Sequence, residues 1–258
     1  MKVLILAGGM GSRLGEETEL RPKPMVEIGG KPILWHIMKF YSHYGFNEFV
    51  LLLGYKGELI KQYFTDYFLN APEMTVDVLN NQIQFHTSIA EPWKVTLIDT
   101  GLDATTGARI LKAKKYVKNE TFMLTYGDGV SDIPIPELLK FHRAHKKAIT
   151  VTAIRPESRF GALKINSKGK VLEFKEKIEA GDDWINGGFF VCEPGIFKAI
   201  DAGRSDMFER GPLQRLSRQG ELFAYKHQGF WACMDTQRDK KHLQEKWERN
   251  EAKWKIWD

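Results

Sequence analysis

Three glycines, an arginine and a proline-flanked lysine lie close together near the start of the chain, and their chemistry suits a phosphate. The run Leu6, Ala7, Gly8, Gly9, Met10, Gly11, Ser12, Arg13, Leu14 grows directly out of the apolar stretch Val3 to Ala7. Glycines let such a loop turn tightly and bring its amides against phosphate oxygens without a Cβ in the way. Arg13 adds a planar, permanently charged fork, and in Arg21-Pro22-Lys23-Pro24-Met25 the two prolines restrict the backbone around Lys23. Two familiar phosphate loops do not fit. A dinucleotide fingerprint begun at Gly9 needs glycine where Leu14 stands, and a P-loop needs Lys then Ser or Thr after its second glycine.

Two carboxylates stand out by position. Asp128, in Tyr126-Gly127-Asp128-Gly129, follows the apolar run Thr121 to Thr125 and sits between two permissive glycines at a strand's carboxyl end. Asp235, in Trp231-Ala232-Cys233-Met234-Asp235-Thr236, precedes a helical stretch. On residue type alone the first can be a turn residue and the second a helix cap.

The elements that must position these groups alternate along the chain. Short β-rich runs at Val3 to Ala7, Phe49 to Leu53, Thr121 to Thr125, Ile149 to Ile154 and Gly188 to Val191 are apolar almost throughout, as strands covered on both faces are. Between the first two, Pro32 opens a helix carrying Ile33, Ile37, Phe40, Tyr41 and Tyr44 at three- and four-residue spacing. Gly57 to Asn70 and Pro136 to His145 repeat that character. The order predicts an α/β fold, a Rossmann-like, mostly parallel sheet with helices on both faces and ligands beyond the carboxyl ends of its strands. From about Phe160 the pattern changes to a hairpin, Ala162 to Ile165 and Val171 to Phe174 around the turn Asn166 to Lys170, expected to form a lid. Helices return at Pro212 to Gln219 and from Thr236 to the end. We expect a single domain in three parts: an α/β core over 1–155, a second part with the lid over 156–235, and a C-terminal helix and tail over 236–258.

Composition narrows the class. With 258 residues, 43% of them hydrophobic, the chain can bury one sizeable core. Lys and Arg number 38 against 33 Asp and Glu, too even a balance for a dedicated nucleic-acid binder. No apolar run approaches the roughly 18 to 20 residues that span a bilayer, so a soluble, cytoplasmic protein without membrane partners is expected. Cys192 and Cys233 lie far apart with no ligand-spaced neighbours, which indicates neither a disulfide framework nor a zinc site. His142 and His145 read as surface histidines, and Lys112, Lys114, Lys115 and Lys118 as a basic cluster at a helix end. Trp247, Trp254 and Trp257 put more aromatic area in the tail than a frayed end carries, so the tail is expected to dock on the domain or at a subunit interface.

Gly8-Gly9-Met10-Gly11-Ser12-Arg13-Leu14 followed by Lys23-Pro24-Met25 resembles the signature of the sugar-1-phosphate nucleotidyltransferases. Longer stretches, among them Pro24 to Met38, Gly54 to Gly57, Glu91 to Gly101, Tyr126 to Gly129, Asn186 to Phe190 and Met234 to Thr236, resemble members of that family that use CTP. The likeness covers nearly the whole chain. It implies Mg²⁺-dependent transfer of a cytidylyl group from CTP to glucose 1-phosphate, giving CDP-glucose and pyrophosphate for deoxyhexose and surface polysaccharide (O-antigen, lipopolysaccharide) synthesis. Use of UTP, dTTP or another hexose phosphate is the nearest alternative, and a non-catalytic nucleotide-sugar sensor the next. A homo-oligomer is expected.

The resemblance also assigns roles. Arg13, Lys23 and Asp128 are the catalytic set, and Asp128 with Asp235 the Mg²⁺ ligands. The nucleotide falls to Leu6, Ala7, Gly8, Gly9, Met10, Gly11, Ser12, Arg13, Lys23, Gly127 and Asp128, with Thr105, Thr106, Gly107 and Arg109 resembling a base-contacting stretch in which Ala108 replaces the usual glycine. Gly161, Glu176, Lys177, Asn186 and Gly187 take the sugar phosphate, Lys177 holding its phosphate, although Ile178 stands where the family has proline.

Overall fold

The computed structural model describes residues 1–67, 73–86, 91–155, 162–165, 171–175, 184–200 and 206–257. The chain opens with β1 (Val3–Ala7), a 3-10 turn at Ser12–Leu14 and the short helix α1 (Glu16–Leu20). A second 3-10 turn at Lys23–Met25 leads to the ribbon β2 (Glu27–Ile28) and β3 (Lys31–Pro32), then to α2 (Ile33–His43), β4 (Glu48–Leu53) and α3 (Gly57–Thr65). The hairpin β5 (Met74–Asp77) and β6 (Gln82–Phe85) precedes β7 (Lys94–Asp99), α4 (Thr106–Lys112) and α5 (Lys114–Val117). Next come β8 (Phe122–Tyr126), β9 (Gly129–Ser131), α6 (Ile135–His145), β10 (Ile149–Ile154) and the hairpin β11 (Ala162–Ile165) with β12 (Val171–Lys175). The chain ends with β13 (Ile185–Cys192), a 3-10 turn at Pro194–Lys198, α7 (Pro212–Arg218), β14 (Leu222–His227), β15 (Trp231–Cys233) and α8 (Gln237–Glu248).

Seven strands form the central sheet in the order β14-β10-β13-β8-β1-β4-β7. All its pairings are parallel except those of β13, which runs antiparallel between β8 and β10. The period-two geometry of a strand explains the two-sided core. Val3, Ile5 and Ala7 of β1 face a layer built from α2, Leu138 and Leu139 of α6, and Leu243 of α8. Leu4 and Leu6 face the opposite layer, with Ile110 of α4, Val117 of α5 and Leu213 and Leu216 of α7. The continuous apolar reading of β1, β4 and β8 thus reflects burial on both faces. Among the described residues, no helix is long and apolar enough to cross a membrane.

Several expectations shift. The helix from Gly57 ends at Thr65, and residues 68–70 lie outside the described residues. The last helix stops at Glu248, with Asn250 in the left-handed region (φ 58°) turning the chain out of it. The tail then docks: Trp254 is 1% exposed, stacked 5.4 Å from Phe230. His142, expected at the surface, is buried, because its ring lies within hydrogen-bond reach of Thr150 Oγ1 (2.8 Å) and Glu193 Oε1 (3.1 Å), which satisfy both nitrogens. The β11–β12 hairpin forms as expected, and both cysteines are free.

His36 is the buried hinge between tail and core. Its Nε2 donates to the Ile28 carbonyl at 2.8 Å, and its Nδ1 accepts from Trp254 Nε1 at 3.4 Å. Burial holds its pKa down to about 4, against the Ile28 and Lys31 carbonyls that favour the protonated ring. The unfolded chain therefore binds the extra proton first, so His36 adds stability above the ordinary histidine pKa and loses it as pH falls towards 4. In thermal melts between pH 6.5 and 5, the midpoint of the natural chain is expected to fall more steeply than that of His36→Gln, whatever the difference at pH 7.

Candidate active site

Asp128 and Asp235 are brought together by one strand pairing. β9 and β15 run antiparallel with Gly129 opposite Cys233, and the Met234 N–H donates to the Asp128 carbonyl at 2.9 Å. Each carboxylate flanks that ribbon, so the register places them side by side. Their side chains meet on Lys23, whose Nζ lies 2.5 Å from Asp128 Oδ2 and 2.5 Å from Asp235 Oδ1. Arg13 reaches Asp235 at 3.2 Å while its side chain stays 71% exposed, so one cation is enclosed by the carboxylates and the other faces open solvent.

Their electrostatics follow from this geometry. Burial disfavours the Lys23 ammonium, but the two carboxylates outweigh it and raise its pKa. Burial likewise works against the Asp235 carboxylate, and Lys23 and Arg13 reverse that and lower its pKa. Burial and the neighbouring carboxylates push the Cys233 thiol up to about 12, so it stays a neutral filler. Two acidic oxygens converging on one ammonium are also a donor set that a hard divalent cation can use, since Mg²⁺ takes one or two carboxylates and completes its shell with phosphate oxygens and water.

The helix that follows Asp235 is tied to the glycine loop. Thr236 and Asp239 form a reciprocal capping box, so Asp235 is not needed as the cap. Gln237 Nε2 donates to the Leu14 carbonyl at 2.7 Å, and Lys240 pairs with Glu17. In the loop itself Gly9, Met10, Ser12 and Arg13 are exposed, while Leu6, Ala7 and Gly8 are buried at its root. Gly11 has φ 66°, where a side chain is strained, and a Cβ there would lie 2.9 Å from that of Lys23.

Beneath the loop lies Arg109, 5% exposed, its two Nη groups ringed by acceptors. Nη1 donates to the carbonyls of Leu53 (3.0 Å) and Gly101 (2.7 Å) and to Thr100 Oγ1 (2.5 Å), and Nη2 to those of Gly8 (3.0 Å) and Leu102 (3.0 Å). One guanidinium thus fastens the loops after β1, β4 and β7 at the carboxyl edge of the sheet. The Arg109 guanidinium therefore faces backbone carbonyls at the root of the loops it joins. Thr105 caps α4 and also donates to the Asp206 carbonyl at 2.9 Å. Thr106 accepts from Phe208 N–H and donates to Glu209 Oε2, both at 2.8 Å. Gly107 is buried against the Asp206 carbonyl.

Gly127 is buried at the root of the loop, its amide donating to the Leu6 carbonyl at 2.9 Å. Across the sheet, Asn186 is exposed and donates to the Tyr126 hydroxyl at 3.3 Å, and the Gly187 carbonyl accepts from Trp231 Nε1 at 2.7 Å. Gly161, Glu176 and Lys177 lie outside the described residues. Two residues that sequence reasoning missed are Tyr126, passed over as part of the Asp128 motif, and Glu209, which no local pattern marks.

This arrangement belongs to a known class. The chain matches the nucleotidyl transferase family over residues 2–247 and belongs to it. It is 50% identical to glucose-1-phosphate cytidylyltransferase of Salmonella typhimurium and 46% identical to a probable glucose-1-phosphate cytidylyltransferase of Bacillus subtilis, in both cases over 100% of each chain. Among solved structures, HddC from Yersinia pseudotuberculosis shares the fold with a TM-score of 0.68 at 23% identity, over 95% of this chain and 99% of that one. The apo form of a UDP-glucose pyrophosphorylase does so with 0.69 at 16%, over 96% and 98%. Enzymes of this family generally use a divalent metal.

Arg109→Met removes the donor to the Gly101 and Leu102 carbonyls and to Thr100 Oγ1, while the Leu53 and Gly8 carbonyls keep the N–H groups of Thr100 and Tyr55, and it is expected to cost about 3 kcal/mol or more. Arg109→Lys, with three donors radiating from one point, should fall between. Urea denaturation gives the loss, and in both variants nucleotide affinity measured by calorimetry should fall as the glycine loop loosens.

Proposed function

We propose that the protein transfers a cytidylyl group from CTP to glucose 1-phosphate, releasing pyrophosphate and forming CDP-glucose. The observation that carries this reading is the convergence of Asp128, Asp235 and Lys23 beside the glycine loop, in a chain half identical from end to end to a cytidylyltransferase. A phosphate oxygen of glucose 1-phosphate attacks the α-phosphorus of CTP in line; the new P–O bond forms as the bond to the pyrophosphate oxygen breaks. The attacking phosphate is already anionic, so no general base has to take a proton.

The chain's own groups position and neutralise. Loop amides from Gly9 to Ser12 cradle the triphosphate, and Arg13, largely exposed, offsets charge on its β and γ groups. Lys23 moves its ammonium from the carboxylates to the phosphates. Asp128 and Asp235 hold Mg²⁺, which when bound draws charge from the α-phosphate and the leaving pyrophosphate. Asn186 and Gly187 meet the sugar, and by family likeness Gly161, Glu176 and Lys177 complete that subsite, Lys177 at the phosphate. In this reading 1–155 serve the nucleotide, 156–235 the sugar phosphate and 236–258 brace the loop. Two free cysteines and the absence of a membrane-spanning helix among the described residues suit a cytoplasmic enzyme, supplying CDP-glucose for surface polysaccharide and assembled as a homo-oligomer.

Pyrophosphate release with Mg²⁺ and glucose 1-phosphate, run with CTP, UTP, dTTP, ATP and GTP in parallel, tests this. Strong preference for CTP is expected. Release with another nucleotide overturns the cytidylyl assignment, and silence with all of them favours a nucleotide-sugar sensor. Asp128→Ala and Lys23→Ala should each lower kcat at least about a hundredfold, on the scale of removing one transition-state charge partner, with far-UV circular dichroism unchanged.

A further inference from the structure

Glu209 lies at one end of a hydrogen-bond chain that ends at the exposed amide of Asn186. The Tyr126 hydroxyl is 2.6 Å from Glu209 Oε1, and Asn186 Nδ2 is 3.3 Å from that hydroxyl. Asn186 Oδ1 is itself 2.8 Å from the Gly188 N–H. These contacts fix direction as well as distance. A carboxylate only accepts, so the Tyr126 O–H must donate to Glu209. Its oxygen is then left to accept, which calls for the amide nitrogen of Asn186 and not its oxygen. The Gly188 N–H demands the same orientation from the other side.

Glu209 is held by more than Tyr126. Its second oxygen accepts from Thr106, which in turn holds the Phe208 N–H. The preceding Asp206 is gripped by Arg215 through two contacts of 3.1 Å, and its carbonyl accepts from Thr105. The segment is thereby fixed to the first turn of α4, and a carboxylate remote in sequence stands at a set place beside Tyr126.

We infer that Glu209 is a positioning residue for the sugar subsite: through Tyr126 it locks the Asn186 amide so that its remaining N–H, a donor, faces the sugar phosphate, selecting an acceptor oxygen on the sugar. The inference rests on the reading of Asn186 as a sugar-side contact. Neither Glu209 nor the Tyr126 hydroxyl touches substrate in this scheme.

The test is the KM for glucose 1-phosphate at saturating CTP, with thermal midpoints alongside. Tyr126→Phe removes the middle of the chain, Glu209→Gln its one-way acceptor, and Asn186→Ala its end. Each is expected to raise that KM about tenfold, the equivalent of one hydrogen bond of ~1.4 kcal/mol. In the Asn186→Ala background, Tyr126→Phe and Glu209→Gln should raise it no further, because nothing remains to be oriented. A merely structural role predicts lower midpoints with the KM unchanged. If Asn186→Ala raises the KM but Tyr126→Phe leaves it within twofold of the natural chain, or if Tyr126→Phe acts equally in both backgrounds, the inference is wrong and the sugar-side reading survives. If Asn186→Ala itself changes nothing, that reading fails and the inference with it. Tyr126→Phe keeps the ring and its packing, so it decides the matter even if Glu209→Gln folds poorly.

Discussion

Two carboxylates sharing a single cation govern the arrangement of the rest of this molecule. Left alone, Asp128 and Asp235 would repel each other and resist burial. With Lys23 between them, 2.5 Å from each, the partly buried cluster becomes tenable: the carboxylates raise the Lys23 pKa, and Lys23 with Arg13 lowers that of Asp235. The requirement reaches outward. Asp128 must sit in the turn that follows a central strand, Asp235 must arrive on an antiparallel ribbon in one register, and Lys23 must come from a turn set between prolines. An ammonium and a metal ion cannot both occupy the point where the two carboxylates converge. In the proposed reaction Lys23 would therefore have to leave the carboxylates for them to hold a divalent cation.

Rigid and movable parts are separated around that point. Arg109 is buried, and its two Nη groups fasten the root of the glycine loop to the loops after β4 and β7. Arg13, of the same chemistry, is largely exposed and makes one contact of 3.2 Å, which leaves it able to follow a ligand. The difference is one of solvation. A guanidinium out of water must find an acceptor for each N–H, and once it has done so it cannot leave cheaply. The segment carrying Asp206 and Glu209 is likewise held by the first turn of α4, so it shares a fixed frame with that helix.

What was legible in the sequence, and what was not, follows the range of the interactions. β1 and β10 stand where their β-rich runs place them, and α2 begins after Pro32, because double burial and a proline at a helix start leave local marks. The glycine loop and Lys23 carry local marks of their own in the glycines and flanking prolines, whereas Asp128 and Asp235 read locally as a turn residue and a helix cap and are singled out by the family resemblance. β7, β9, β14 and β15 were not, since short or mixed strands acquire their identity from the neighbour they pair with. Whether Arg109 faces a ligand or the protein interior is likewise undetermined by its motif, as burial is a property of three loops that meet only in the fold. Glu209 carries no signal at all: an acidic residue after a Met-Phe pair looks like any other until the chain sets it against Tyr126 and Thr106. His142 on α6 differs from its surface reading because its partners, Thr150 and Glu193, come from β10 and the residue after β13.

The most direct measurement is a titration of Mn²⁺, as a stand-in for Mg²⁺, into the protein without substrates, followed by loss of the free-ion EPR signal. If Asp128 and Asp235 form one cation position that Lys23 fills, Lys23→Met is predicted to bind a single Mn²⁺ at least about tenfold more tightly than the natural chain. Adding Asp128→Asn to that variant should abolish the gain. Lys23→Met binding Mn²⁺ no more tightly than the natural chain, or keeping its gain without the Asp128 carboxylate, would contradict the account.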